Sequence, residues 1–168
     1  MTLNSSRLIV GQGLVSLLQG VQNGTVPLYG YVKLGSIFDP TPYTAWAEVT
    51  LMLAKSKPAG SGGNLVGWRI EDDPIWCITS GWDYEQDSTA AMINMLTAMD
   101  ILVPILHSHY QIPNPNSPSQ AIAAIYSLVE WDQNERARPV RFPNGKVYLL
   151  WDIFIGTRLQ YNVSLINP

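Results

Sequence analysis

Apolar residues recur along this chain at two periods, and the switch between them marks out its elements. From Asp87 to Tyr110 the period is helical: Met92, Leu96, Met99, Val103 and Leu106 share one stripe, which Met95, Leu102 and Ile105 widen. Such a stripe needs a partner surface. Asp87, Ser88 or Thr89 can cap the start, because their short oxygens accept from first-turn amides, and Ala90 and Ala91 then favour helix. Asn94, Thr97 and Asp100 mark the narrower wet face. Pro104 has no amide to donate and its ring crowds the preceding turn, which predicts a kink or an early end.

A shorter helix is expected near the N-terminus, where Ser5 and Ser6 can cap, Val10, Leu14, Leu17 and Leu18 line one side, and Gly20 offers a stop; Gly11 and Gly13 weaken it. Between the two helices the period falls to two. A strand is expected over Val26–Phe38, with Leu28, Val32 and Leu34 facing one way and Tyr29, Tyr31 and Lys33 the other, until Asp39-Pro40-Thr41-Pro42 ends it. The cleanest alternation is Ala45–Ala54: Ala45, Ala47, Val49, Leu51 and Leu53 share one face, and Trp46, Glu48, Thr50 and Met52 the other. Lys55–Asn64, rich in glycine and lacking an apolar anchor, is expected to be an exposed, mobile loop. Strands follow over Leu65–Glu71 and Ile75–Ser80, with a turn from Glu71 to Pro74 between them.

Beyond the central helix, three prolines in Gln111–Gln120 predict a loop. Ala121–Trp131 begins like a helix and alternates like a strand; strand is the preferred reading. Gln133–Arg141 reads as a polar turn, and Asn144-Gly145 as a tight one, since both positions tolerate positive φ. Val147–Ile155 and Arg158–Ile166 are extended, either as one strand bent at Gly156 or as a hairpin pair. The expected architecture is a single α+β domain, residues 1–168, in which an antiparallel sheet is packed on one face by the long central helix and the short N-terminal helix.

Composition changes this picture in one respect. Charged residues are 14% of the 168 residues, against about 25% in ordinary globular chains, while six Trp and eight Tyr contribute to a hydrophobic share of 46%. So little charge suits a surface covered by neighbouring subunits, and equally a compact domain with an uncharged polar surface. A net charge of −3 gives phosphate backbones no general attraction. Cys77 stands alone, which rules out an internal disulfide or a cysteine-based metal cluster and fits a reducing cytoplasm during folding. No signal peptide is read at the N-terminus, and no uninterrupted apolar run reaches the roughly 20 residues that cross a bilayer, so a soluble protein without membrane association is expected.

No residue pattern demands a reaction. His107 and His109 are two apart, which on a helix turns them about 200° from each other and away from a common metal. Glu71, Asp72 and Asp73, and again Asp83, Glu85 and Asp87, sit in predicted turns where carboxylates are ordinarily solvated, and Asp87 is better explained as a cap. The glycines at 11 and 13 and at 60–63 lack the flanking residues of a dinucleotide or phosphate loop. Cys77, between Trp76 and Ile78, reads as a core thiol. Tyr29, Tyr31, Tyr43, Trp46, Trp68, Trp76 and Trp82 have two readings: stacking on sugars, or packing in the core and between subunits. Lys55 and Lys57 make a local positive spot that can touch DNA if several copies surround a channel.

With this order of elements, and in the segments VKLGSIFDPTPYTAWAEV, GWDYEQDSTAAMINMLTAMDILVP and RFPNGKVYLLWDI, the chain resembles the tail terminator and head-tail joining proteins of tailed bacteriophages. Gln111–Gln120 and Gln133–Arg141 are additional to a minimal version of that fold. The resemblance implies a structural virion protein without catalytic, metal or cofactor sites, made in the host cytoplasm. Its subunits would close into a hexameric ring that caps the tail tube, joins it to the head connector and touches DNA at the lumen. The residues expected to serve contacts are Lys55, Lys57, Trp46, Trp68 and Trp82. The alternatives are a carbohydrate- or protein-binding module using sheet-face aromatics and a small hydrolase using turn carboxylates.

Overall fold

The computed structural model describes residues 6–37, 39–40, 42–53, 56–58, 68–72, 74–107, 111–128 and 137–163, with backbone alone at 6, 53, 56–58, 68–72, 117–128 and 159–163. Helix α1 (Ser6–Gly20) leads into a miniature hairpin of β1 (Gln22–Asn23) and β2 (Val26–Pro27), followed by β3 (Tyr31–Leu34) and β4 (Ala45–Leu53). Strands β5 (Ser56–Pro58), β6 (Trp68–Asp72) and β7 (Ile75–Asp83) precede helix α2 (Ser88–His107). The chain then forms β8 (Gln111–Asn114), β9 (Ser117–Leu128), β10 (Arg138–Arg141) and β11 (Val147–Val163).

The α+β architecture is as expected, with both helices on one face of the sheet. The sheet runs β3-β4-β7-β11, with β10 and β9 on the far side of β11 and β8 beyond β9. It is mixed rather than wholly antiparallel, because β3 runs parallel to β4, in register from Tyr31 opposite Trp46 to Leu34 opposite Val49. β4 pairs with β7 and β5 with β6, so β4 and β5 run antiparallel to β7 and β6. β11 lies antiparallel along β7 and then along β6. Of the two readings of the C-terminal segment, the single strand is the one formed, with a register shift against β9 at Gly156/Thr157.

Alternation sorts the sheet into two layers. On the helix side lie Ala47, Val49, Trp76, Ile78, Trp82, Leu149, Trp151, Ile153 and Ile155, which join α1 and α2 in the main core. On the reverse side Trp46, Tyr148, Leu150 and Ile37 form a smaller cluster, beneath Tyr31, Tyr43, Val140 and Phe142. The strand expected over Val26–Phe38 is broken: among its described residues 26–27 and 31–34 are extended, and Phe38 lies outside the description. Tyr29 is the reason. Rather than facing outward with Tyr31, it is buried in the main core, where its hydroxyl shares a 2.7 Å hydrogen bond with Ser80 and burial pushes its pKa up.

Other expectations are corrected. Gln111–Gln120 is not a loop but the β8–β9 turn, closed where Asn114 Oδ1 accepts from Asn116 N at 2.9 Å; register irregularities flanking Pro113 accommodate the proline in a strand. Residues 138–141, read as part of a turn, pair with β11. Residues 56–58, read as part of a mobile loop, pair with β6; Lys55 and 59–64 lie outside the described residues. Strand is the state of 121–128, with 129–131 outside the description. Gly11 and Gly13 of α1 serve close approach: a Cβ on Gly13 would lie 2.6 Å from both Ile112 Cγ2 and the Pro113 carbonyl, so the helix seats against β8 only without one.

Candidate functional site

Helix α2 is built as its start predicts. Asp87 Oδ1 accepts from the amides of Thr89 and Ala90, each at 2.9 Å, satisfying two first-turn donors. Contrary to an early end, the helix continues through Pro104 to His107. The rotation of the helix differs from expectation. Its buried line is Ala91, Met95, Ala98, Leu102 and Leu106, whereas Met92 and Leu96 of the predicted stripe are 41% and 50% exposed; Met99 and Val103 are half-buried. The sheet explains the rotation: the shared core already holds Trp76, Trp82 and Trp151, and small side chains at 91 and 98 let a helix approach such bulk closely.

The consequence is an apolar flank left in solvent. Met92, Ile93 and Leu96 lie on adjacent turns, Ile93 being 57% exposed, and Asp100 is the ionisable group one turn further along. By length and composition α2 is apolar enough to cross a membrane. Here one side of it fills the core of a sheet, Met99, Ile101, Val103 and Ile105 pack partly against that core, and Met92, Ile93 and Leu96 stand exposed.

Between α1, α2 and β8 lies an open groove of about 370 Å³, lined by Leu17, Val21, Ile101, Ile105 and Pro113 with Ser16, Gly20 and Gln22. Among the described residues no ionisable side chain lines it. On the reverse face of the sheet, register places Lys33, Glu48, Thr79 and Asp152 in one row across four strands. Glu48 Oε2 accepts from Ile37 N at 2.7 Å, Thr79 donates to Asp152 Oδ1 at 2.6 Å, and Arg138 stands 3.6 Å from Asp152 Oδ2. Partial burial raises the Glu48 pKa, as does Asp152; the Ile37 amide and Lys33 oppose the shift. Through Glu48 this row ties Ile37 to the sheet. Sequence reading had placed Glu48 on that face but could not see its cross-strand partners.

The expected contact residues fall into two groups. Trp46 and Trp82 are each 1% exposed, Trp82 in the main core and Trp46 in the reverse cluster, so both serve packing and neither offers a surface for another subunit. Trp76 is buried as well, its Nε1 donating to Thr157 Oγ1 at 3.1 Å, which leaves the row of sugar-stacking aromatics without its centre. Tyr31 and Tyr43 stack on each other at 4.5 Å and 4°. Trp68 and Lys57 lie on β6 and β5, their side chains outside the description, and Lys55 lies outside it altogether.

Among the described residues the acids and histidines do not converge. Asp83 is paired with Lys146 at 3.5 Å and accepts from Glu85 N at 3.1 Å, while Asp87 is the cap. Glu71 and Asp72 are on β6; Asp73 and His109 are outside the described residues, and His107 is exposed at the end of α2. Among the described residues no three His, Cys, Asp or Glu side chains are placed to hold a metal. Compared with protein-family models and with curated proteins, the chain matches none.

Proposed function

We propose that this chain is a non-enzymatic structural protein that works by self-association, as a ring subunit of the kind that tailed bacteriophages use at the neck or tail terminus. One observation carries the reading. A twenty-residue, largely apolar helix packs one side into the core and leaves Met92, Ile93 and Leu96 in water. Burying such a flank gains roughly 25 cal/mol per Å², and exposed apolar patches on folded proteins mark contact surfaces. The low charge of the chain, 14%, supports the same reading.

In this reading the subunits form a hexameric ring in the virion after synthesis in the host cytoplasm, contacting the tail tube on one side and the connector on the other. The hairpin carrying Lys57 would reach a neighbouring ring or DNA in the lumen. Electron microscopy of the purified protein, alone and with tail tubes, tests this: closed rings in either sample support it, and dispersed single subunits in both contradict it.

A further inference from the structure

We infer that Asn23 is a site of spontaneous deamidation, with the Gly24 amide as nucleophile and water as co-reactant, and that the fold protects the chain's other Asn-Gly step, Asn144-Gly145. Both steps lie in exposed turns, and in both the glycine has positive φ, +64° at Gly24 and +90° at Gly145. The intrinsic chemistry of the two is the same. The glycine nitrogen gives its proton to solvent base and attacks the asparagine Cγ. The new C–N bond closes a cyclic imide, while the side-chain nitrogen takes up a proton and leaves as ammonia. Water then opens the imide at either carbonyl, leaving aspartate or isoaspartate.

The two steps differ in what holds the reacting atoms. Asn144-Gly145 is fastened at three points: Asn144 Nδ2 donates to Asp39 Oδ1 at 2.9 Å, Asn144 Oδ1 accepts from Lys146 N at 3.0 Å, and Gly145 N donates to Phe142 O at 2.9 Å. Attack breaks all three, since it swings the side chain over its own backbone and takes the proton off the glycine nitrogen. Asn23 instead ends β1 and pairs with Val26 across a loop of Gly24 and Thr25 alone. Among the described residues neither its side chain nor the Gly24 amide makes a hydrogen bond. Each bond to be broken costs a factor of at least about two in rate, so the three together hold Asn144 at least roughly tenfold behind Asn23. The products matter to the hairpin. Either adds a negative charge to a chain of net −3, and isoaspartate also adds a methylene to the main chain opposite Val26, beside the Val21 and Gln22 that line the groove.

Tryptic mapping of the wild-type chain reads both sites at once, because the peptide 8–33 holds Asn23 and the peptide 142–146 holds Asn144, each as its only asparagine. The full chain is incubated at mildly alkaline pH, folded and in urea, and digested at intervals. The deamidated fraction of each peptide is taken from its mass, and enzymatic methylation of isoaspartyl groups marks that isomer. In the folded protein Asn23 should convert at least about tenfold faster than Asn144, giving both isomers, and in urea the two rates should converge. Equal rates in the folded protein, or the faster rate at Asn144, would overturn the inference. So would a lead for Asn23 that persists undiminished in urea, since the chain and not the fold would then set it. An Asn23 that reacts in urea and stays intact in the folded protein would overturn it too, by placing the protection in the hairpin itself.

Discussion

Gly81→Ala is a one-methyl change that reports on the reverse layer of the sheet. Gly81 sits on β7 directly opposite Trp46 on β4. A Cβ there would clash with Trp46 Cε2 and Cζ2 and stand 2.8 Å from its Nε1. The indole has little room to retreat: it is 1% exposed and held edge-on by Phe142 at 5.8 Å and Tyr148 at 6.0 Å. Overpacking of this kind costs about 1–3 kcal/mol, offset by about 0.4–1 kcal/mol because alanine restricts the unfolded chain. Taking middle values of about 2 and about 0.7 kcal/mol, the net loss is about 1.3 kcal/mol, and at about 2–4 °C per kcal/mol for a chain of this size the Tm should fall by roughly 3–5 °C. Thermal unfolding followed by near-ultraviolet circular dichroism reads both the Tm and the aromatic packing. Gly20→Ala is the control, since a Cβ there meets nothing within 4 Å; its Tm should hold or rise. A Gly81→Ala variant as stable as wild type, with an unchanged aromatic signal, would falsify the placement of Trp46 over Gly81.

Three further outcomes follow from the same geometry. Leu102→Ala should cost about 2–5 kcal/mol in denaturant unfolding and Leu96→Ala no more than about 0.5 kcal/mol; the reverse order would restore the helix rotation predicted from sequence. Asp87→Ala removes the cap of α2 and should cost about 0.5–2 kcal/mol, and an unchanged midpoint would mean that the cap contributes nothing. Glu48 has a folded pKa above its ordinary value, so the fold favours its protonated form. That preference is fully expressed below the unfolded pKa and is lost as pH rises through the folded one. Glu48→Gln keeps the acceptor for Ile37 N and should gain on wild type between acidic and neutral pH; a stability difference constant across that range refutes the shift.

How much of this was legible in the sequence depends on what kind of contact fixed each feature. Local signals read true: the Asp87 cap, the Asn144-Gly145 turn, where Gly145 has φ of +90°, and the in-and-out alternation of β4 from Ala45 to Val49. The rotation of α2 did not, because its polar face of Asn94, Thr97 and Asp100 is too narrow to orient a helix with apolar residues on both flanks, and the choice falls to the tryptophans it meets. The parallel placement of β3 beside β4 and the cross-strand row at Glu48 are long-range pairings with no local signature. In β8, Pro113 suggested a loop that register irregularities made unnecessary. The candidate surface was hidden for the same reason as the rotation: Met92 and Leu96 look like core by period and become surface only once Ala91 and Ala98 face the sheet.

Sedimentation equilibrium of the wild-type chain and of Leu96→Asp, across a wide concentration range, tests most directly whether this protein acts by binding its own copies through α2. The wild-type weight-average mass should climb above the monomer value with concentration, and the folded Leu96→Asp variant should stay near that value. Equal association of the two proteins, or a wild-type mass fixed at the monomer throughout, would contradict a contact through this flank.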